Sequence, residues 1–138
     1  MSNSNIIKGS CLCEAVTFSV RDDFKTFNLC HCTQCQKISG SAHVANLFTQ
    51  PDNVEWLSGQ DLITRYDVPG REIRNEFCSK CGTNVPYVTH SGQNLIVPAG
   101  CLSKQPSSMV PEQVIVWAER LEWYEHIGAV DKCDGFRE

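Results

Sequence analysis

Seven of the nine cysteines in this 138-residue chain fall into three tight groups: Cys11-Leu-Cys13, Cys30-His-Cys-Thr-Gln-Cys35 and Cys78-Ser-Lys-Cys81-Gly82. Their chemistry is that of metal ligands, since the thiolate is the form of cysteine that binds metal. In extended chain residues i and i+2 share a face, so C-x-C at a strand end aims two sulfurs at one point. C-x-x-C followed by glycine is a knuckle. The turn curls two thiolates around one cation, and Gly82 can take the positive φ that the turn needs. Zinc takes such sulfurs at about 2.3 Å in a tetrahedron; tetrahedral thiolate also suits iron. A disulfide framework is not expected. The cysteine count is odd, and Met1 to Lys8 contains no apolar run of the secretory type. Thiols kept reduced make the cytoplasm the default location. Cys101 and Cys133 stand alone and read as inert.

The seven divide naturally into four and three. Cys11, Cys13, Cys78 and Cys81 would close a four-sulfur structural site, tying the start of the chain to a distant loop. Cys30, Cys32 and Cys35 remain. Three protein ligands leave a fourth position open, as in catalytic zinc sites. Spacing alone does not exclude other pairings, and Cys101 is a candidate fourth ligand that would close the second site. If the site is open, a thiol entering it would lose its proton to the cation and attack an aldehyde. Alternatively, the ion would polarise the aldehyde oxygen. Lys37, Ser39 and Ser41 follow Cys35 and are candidate donors on the side of a thiol substrate. His31 and His43 titrate near neutrality and are candidate proton carriers, although His31, set between two ligands, is expected to point away from the metal. No single general base stands out.

The elements that must position these residues read as short strands. Ile6–Lys8 leads into the first pair of cysteines. Ala15–Val20 alternates with period two and stops at Arg21-Asp-Asp23. Thr26–Cys30, His43–Phe48, Val54–Leu57, Leu62–Val68 and Glu72–Phe77 follow, separated by Pro and Gly turn signals. Thr83–Thr89 contains Pro86 and is an edge strand or irregular. Leu95–Val97 and Val114–Trp117 complete the set. Helix signals are few: Thr33–Ser39, capped by Thr33 and closed by Gly40, and a turn around Lys104–Ser108. The expectation is one all-β domain over 1–138 with one or two short helical turns and a loosely held tail from about residue 131. The large aromatics, Trp56, Tyr66, Phe77, Trp117 and Trp123, are assigned to core and edge packing, and His90 and His126 to the surface.

Three stretches carry a likeness to a known family: Gly9-Ser-Cys-Leu-Cys13, Cys30-His-Cys-Thr-Gln-Cys-Gln-Lys-Ile-Ser-Gly-Ser41 and Phe77-Cys-Ser-Lys-Cys-Gly82. They resemble the glutathione-dependent formaldehyde-activating enzyme family, which includes the centromere protein V-like proteins. The likeness extends to Val116–Tyr124, which looks like that family's final strand followed by Trp-Tyr. The resemblance implies a zinc-stapled sheet domain of the β-tent kind. It implies structural zinc on Cys11, Cys13, Cys78 and Cys81, and a second, more labile zinc on Cys30, Cys32 and Cys35 beside the substrate. The activity it implies is that of a carbon–sulfur lyase, which in the joining direction condenses glutathione with formaldehyde to S-hydroxymethylglutathione. Gln36 and His43 depart from the residues usual in the family.

Composition limits the alternatives. The net charge is −4, from 12 Lys and Arg against 16 Asp and Glu, and no basic cluster suits nucleic acid. No apolar run approaches the roughly 20 residues of a membrane span. Two other function classes stand beside the enzyme reading. One is a non-catalytic zinc-stapled scaffold or interaction module. The other is an enzyme acting on a different thiol or carbon–sulfur bond.

Overall fold

Alternating apolar and polar residues, broken by Gly and Pro, build ten short strands in a computed structural model that describes residues 5–107 and 109–136. In chain order they are β1 (Ile6–Ser10), β2 (Thr17–Arg21), β3 (Thr26–Cys30), helix α1 (Thr33–Ser39), β4 (Val44–Thr49), β5 (Glu55–Ser58), β6 (Ile63–Asp67), β7 (Arg74–Cys78), β8 (Tyr87–Val88), β9 (Leu95–Pro98) and β10 (Gln113–Ile115). The fold is mainly β, as expected. Three sheets form, in the orders β1-β2-β5, β10-β3-β4-β9-β8 and β6-β7. All pairings are antiparallel except β10 with β3, which is parallel and sets Ile115 beside Cys30. The segment after Pro86 is an edge strand, since a proline has no N–H for a central ladder. Among the described residues no helix is long and apolar enough to cross a membrane.

The main core fills the space between the first two sheets. Ile7, Phe18 and Val20 come from one side, and Phe27, Leu47, Leu95 and Val97 from the other. Burying each such side chain contributes about 1.5–3 kcal/mol. Gly9 is required here. A Cβ on it would lie 2.7 Å from Phe18 Cε2 and 2.8 Å from the Cys101 carbonyl oxygen. Asn53 is the main buried polar side chain at the rim. Its Oδ1 accepts from the Arg21 N–H at 2.7 Å, and its Nδ2 donates to Arg21 O at 3.0 Å and Thr49 Oγ1 at 2.9 Å. The side chain thus replaces a neighbouring strand where β2 ends.

Several expectations change. The final strand stops at Ile115, and Val116–Tyr124 is not strand. Val116 turns into the left-handed region at φ 55°, followed by 3-10 turns at Trp117–Glu119 and Glu122–Ala129. A β-branched residue pays strain there, so contacts made further along must hold it. Around Lys104–Gln105 the chain is bent without helix, and Ser108 lies outside the described residues, as do Met1–Ser4 and Arg137–Glu138 at the ends. Of the large aromatics, Trp56 packs edge-on against Phe18, whereas Tyr66, Trp117 and Trp123 are exposed. His90 and His126 are on the surface.

Candidate metal centres

Cys11 sits just past the end of β1, and the chain turns back at once: the Cys11 N–H donates to Val16 O at 3.0 Å and the Glu14 N–H to Cys11 O at 3.1 Å. The Cys11 and Cys13 sulfurs converge because of this turn, not because of strand alternation. The second pair lies on the knuckle that ends β7. The Gly82 N–H returns to Cys78 O at 2.7 Å, and Gly82 takes φ 79°. The four sulfurs of Cys11, Cys13, Cys78 and Cys81 all lie within 4.8 Å of one another. Two of the separations are 3.6 Å (Cys11 to Cys13) and 3.9 Å (Cys13 to Cys78). A tetrahedron of sulfurs about 2.3 Å from zinc has edges of about 3.8 Å, so the residues fit the ion.

Backbone and hydroxyl donors surround these sulfurs. Val16 N–H points at Cys11 Sγ (3.3 Å) and Lys80 N–H at Cys78 Sγ (3.4 Å). Thr83 joins the two knuckles: its Oγ1 accepts from the Leu12 N–H at 2.9 Å and lies 3.3 Å from Cys81 Sγ. The Thr83 hydroxyl, with N–H groups of Cys13 and Thr83, draws the Cys81 thiol down to about 5. At Cys11 burial opposes ionisation, as does Cys81, but the Val16 N–H and the thiols of Cys13 and Cys78 prevail and the pKa falls. At Cys13 the Ala15 N–H favours the thiolate, yet burial and the three other sulfurs push it up to about 11. Sulfurs this close compete for negative charge, and a divalent cation removes the competition.

The second group is built where β3 runs into α1. Cys30 is the last residue of β3. Cys32 is the helix cap, its sulfur accepting the Cys35 N–H at 3.3 Å, and Cys35 lies in the first turn. The cap is therefore Cys32, one residue before the expected Thr33, because a sulfur held over the helix end leaves the Thr33 hydroxyl free to bond elsewhere. The helix spans the expected residues and closes at Gly40. The three sulfurs lie within 4.8 Å of one another and all three cysteines are buried, with Val44, Ile73 and Ile115 packed around them. Cys35 and burial act oppositely on Cys30: the hydrogen bond from Cys35 wins and, with the Cys32 N–H and the Arg71 guanidinium, lowers the Cys30 thiol to about 6. Cys35, the donor in that bond and buried, is pushed well up. Three convergent sulfurs again fit a soft divalent cation.

Among the described residues no fourth cysteine, histidine or carboxylate joins this group. Cys101 does not. Its thiol donates to Pro98 O at 2.9 Å, it packs against the main core, and burial lifts its pKa to about 12. Beside Cys35 is a cavity of about 30 Å³, lined among others by Ile38, Asn46, Ile73, Asn84 and Tyr87. Burial, and then the charge of Cys35, hold the proton on the Tyr87 phenol.

Lys37 is exposed on α1. Ser39 Oγ donates to Cys35 O at 2.8 Å and accepts from the Ser41 N–H at 3.1 Å, so both serines take part in closing the helix. His31 is fully buried, and neither ring nitrogen has a partner. Its ring packs against Tyr124 (4.8 Å between centroids), His43 (4.9 Å) and Trp117 (5.1 Å). Burial lowers the pKa of both histidines, His31 further through His43 and Arg120, so both rings are neutral at neutral pH. Sequence reasoning missed Tyr87, Arg71 and Glu119, which reach the second group from β8, the β6–β7 turn and the C-terminal segment. Such long-range contacts leave no local pattern to read.

The family model described as glutathione-dependent formaldehyde-activating enzyme matches residues 6–120. No curated protein matches. Among solved structures, a structural-genomics target from Rhodobacter sphaeroides superposes with a TM-score of 0.61 at 19% identity, covering 78% of this chain and 98% of its own, a likeness of fold alone.

Proposed function

We propose a reaction for the three-sulfur site from one premise: the chain belongs to the glutathione-dependent formaldehyde-activating enzyme family. The reaction joins a thiol, glutathione, to a small aldehyde, formaldehyde. The sulfur bonds to the carbonyl carbon and the thiol proton ends on the oxygen, giving S-hydroxymethylglutathione. The observation that carries this reading is the incomplete ligand set. Cys30, Cys32 and Cys35 converge in a buried position, and among the described residues no fourth protein ligand joins them.

Cys30, Cys32 and Cys35 would hold zinc. When bound, the ion supplies Lewis acidity, lowering the proton affinity of a thiol and polarising a carbonyl. The chain's own residues do the rest. Val44, Ile73 and Ile115 keep water away from the sulfurs, which strengthens every charge interaction there. Arg71 offsets part of the negative charge of the sulfurs. Tyr87, with its proton held on, lines the cavity next to Cys35 and offers a hydrogen bond to a small carbonyl oxygen. Lys37, Ser39 and Ser41, along and beyond α1, are on the thiol-substrate side of this proposal.

The test mixes zinc-loaded protein with glutathione and formaldehyde and follows product by NMR against the uncatalysed rate. Acceleration that disappears in Cys32→Ser supports the reading. No acceleration, with both ions verified as bound, overturns it in favour of a scaffold module.

A further inference from the structure

The turn that brings Cys32 and Cys35 together is held from the far end of the chain. Strand β10 runs parallel to β3, and the His31 N–H donates to Ile115 O at 3.0 Å. The left-handed Val116 then turns the chain across the start of α1, and the next 3-10 turn brings in Glu119. One carboxylate oxygen, Oε1, accepts from the Thr33 N–H at 2.8 Å and the Thr33 hydroxyl at 3.0 Å. Gln36 closes the loop by donating to His31 O at 2.8 Å and Glu119 O at 3.0 Å. On the other side Trp117 and Tyr124 cover the His31 ring.

Helix α1 has no acidic residue in its first turn, and its cap is a sulfur, a weak acceptor that is also a metal ligand. The first free N–H of the helix must therefore be satisfied from outside. We propose that Glu119 is a positioning residue for the three-sulfur metal site: by fixing Thr33 it holds the Cys32–Cys35 turn in the shape that converges on an ion with Cys30. It is not a ligand, since it stands outside the sulfur group and its Oε1 is spent on Thr33. The Thr33 N–H and hydroxyl keep the Glu119 carboxyl ionised below its ordinary range, as a charge-assisted bond requires. Partners placed behind the ligands of a metal site typically change affinity about 10- to 100-fold when removed. The inference rests on metal binding by the three sulfurs and not on the proposed reaction.

The experiment is a stepwise zinc titration of the full chain against a chromophoric chelator. It uses the wild type, Glu119→Ala, Glu119→Gln, and Glu119→Ala in a Cys32→Ser background that retains only the four-sulfur site. In Glu119→Ala the ion at the three-sulfur site should bind about tenfold or more weakly, with the other ion unchanged. Glu119→Gln keeps an acceptor oxygen and should lose less. In the Cys32→Ser background the alanine should change nothing. Equal affinities in wild type and Glu119→Ala overturn the proposal. So does an equal loss at both sites, which would mark a general weakening of the fold. If Glu119→Ala does not fold, Thr33→Val, which removes the hydroxyl bond alone, decides: selective weakening of the three-sulfur site supports the proposal, and unchanged affinity overturns it.

Discussion

The sulfurs of Cys13 and Cys78, 65 residues apart in the chain, lie 3.9 Å from each other. This pair joins the end of β1 to the end of β7, and the group it belongs to packs with Val16 and Val85 in a cluster separate from the main core. The Leu12 N–H to Thr83 Oγ1 hydrogen bond also ties these segments. Structural zinc contributes folding free energy outright. Cys78→Ser should therefore lose most of the stability of the chain and both ordered knuckles. Cys32→Ser should keep a cooperative melt close to that of wild type while binding one ion in place of two. Thermal melts paired with zinc analysis decide this, and equal destabilisation of the two variants would show both sites to be structural.

Gly9 faces Phe18 across the β1–β2 ladder and bridges to Leu102. An added methyl group has no room between the Phe18 ring and the Cys101 carbonyl. Gly9→Ala should cost about 1–3 kcal/mol, the usual effect of overpacking a core, with zinc content unchanged. A denaturant midpoint equal to wild type would show that the sheets separate more easily than their packing suggests.

Asn53→Ala removes three hydrogen bonds at once and leaves the Arg21 N–H without its partner at the end of β2, whereas Arg21 O keeps the Asp23 N–H at 2.8 Å. The expected loss is about 2–3 kcal/mol, since stranded buried polar groups carry their full desolvation cost. Faster amide exchange at Arg21, measured by NMR, should accompany it. A stability loss without that local change would place the effect elsewhere.

Glu76 lies partly buried on β7, and burial raises its carboxyl above the ordinary 4.5 against the pull of Arg65 and Arg74, with Asp67 adding to the rise. The folded chain thus binds this proton more tightly than the unfolded chain. Its contribution to stability is complete below the ordinary value and is lost as pH rises through the raised one. Glu76→Gln carries no charge at any pH. It should melt above wild type near neutrality, and the gap should shrink as the pH is lowered toward the carboxylate range. A gap that widens on acidification would reverse the sign argued here.

Much of this was legible in local pattern. Thr26–Cys30 and Thr33–Ser39 form the elements their residues suggest, and the cysteines group as four and three. The misreadings have a common cause in contacts between distant residues. Val114–Trp117 is apolar enough for a longer strand, but docking of Trp117 and Tyr124 on His31 turns the chain at Val116. Thr33 is a good cap by type, yet the sulfur of Cys32 takes that place while Thr33 binds a carboxylate from the other end of the molecule. Cys101 is a plausible ligand by type, and only its bond to Pro98 O and its place against the main core show that it is none.

The parallel pairing of β10 with β3 sets a timetable for synthesis. All four cysteines of the first centre have left the ribosome once Cys81 is clear, and that centre can close on a nascent chain. Cys30, Cys32 and Cys35 emerge much earlier than Cys81, yet their loop lacks its neighbouring strand and the Glu119 brace until residues 113–119 have also been made. An ion on the four-sulfur group can thus be taken up first, and an ion on the three-sulfur group waits for residues 113–119 to be made.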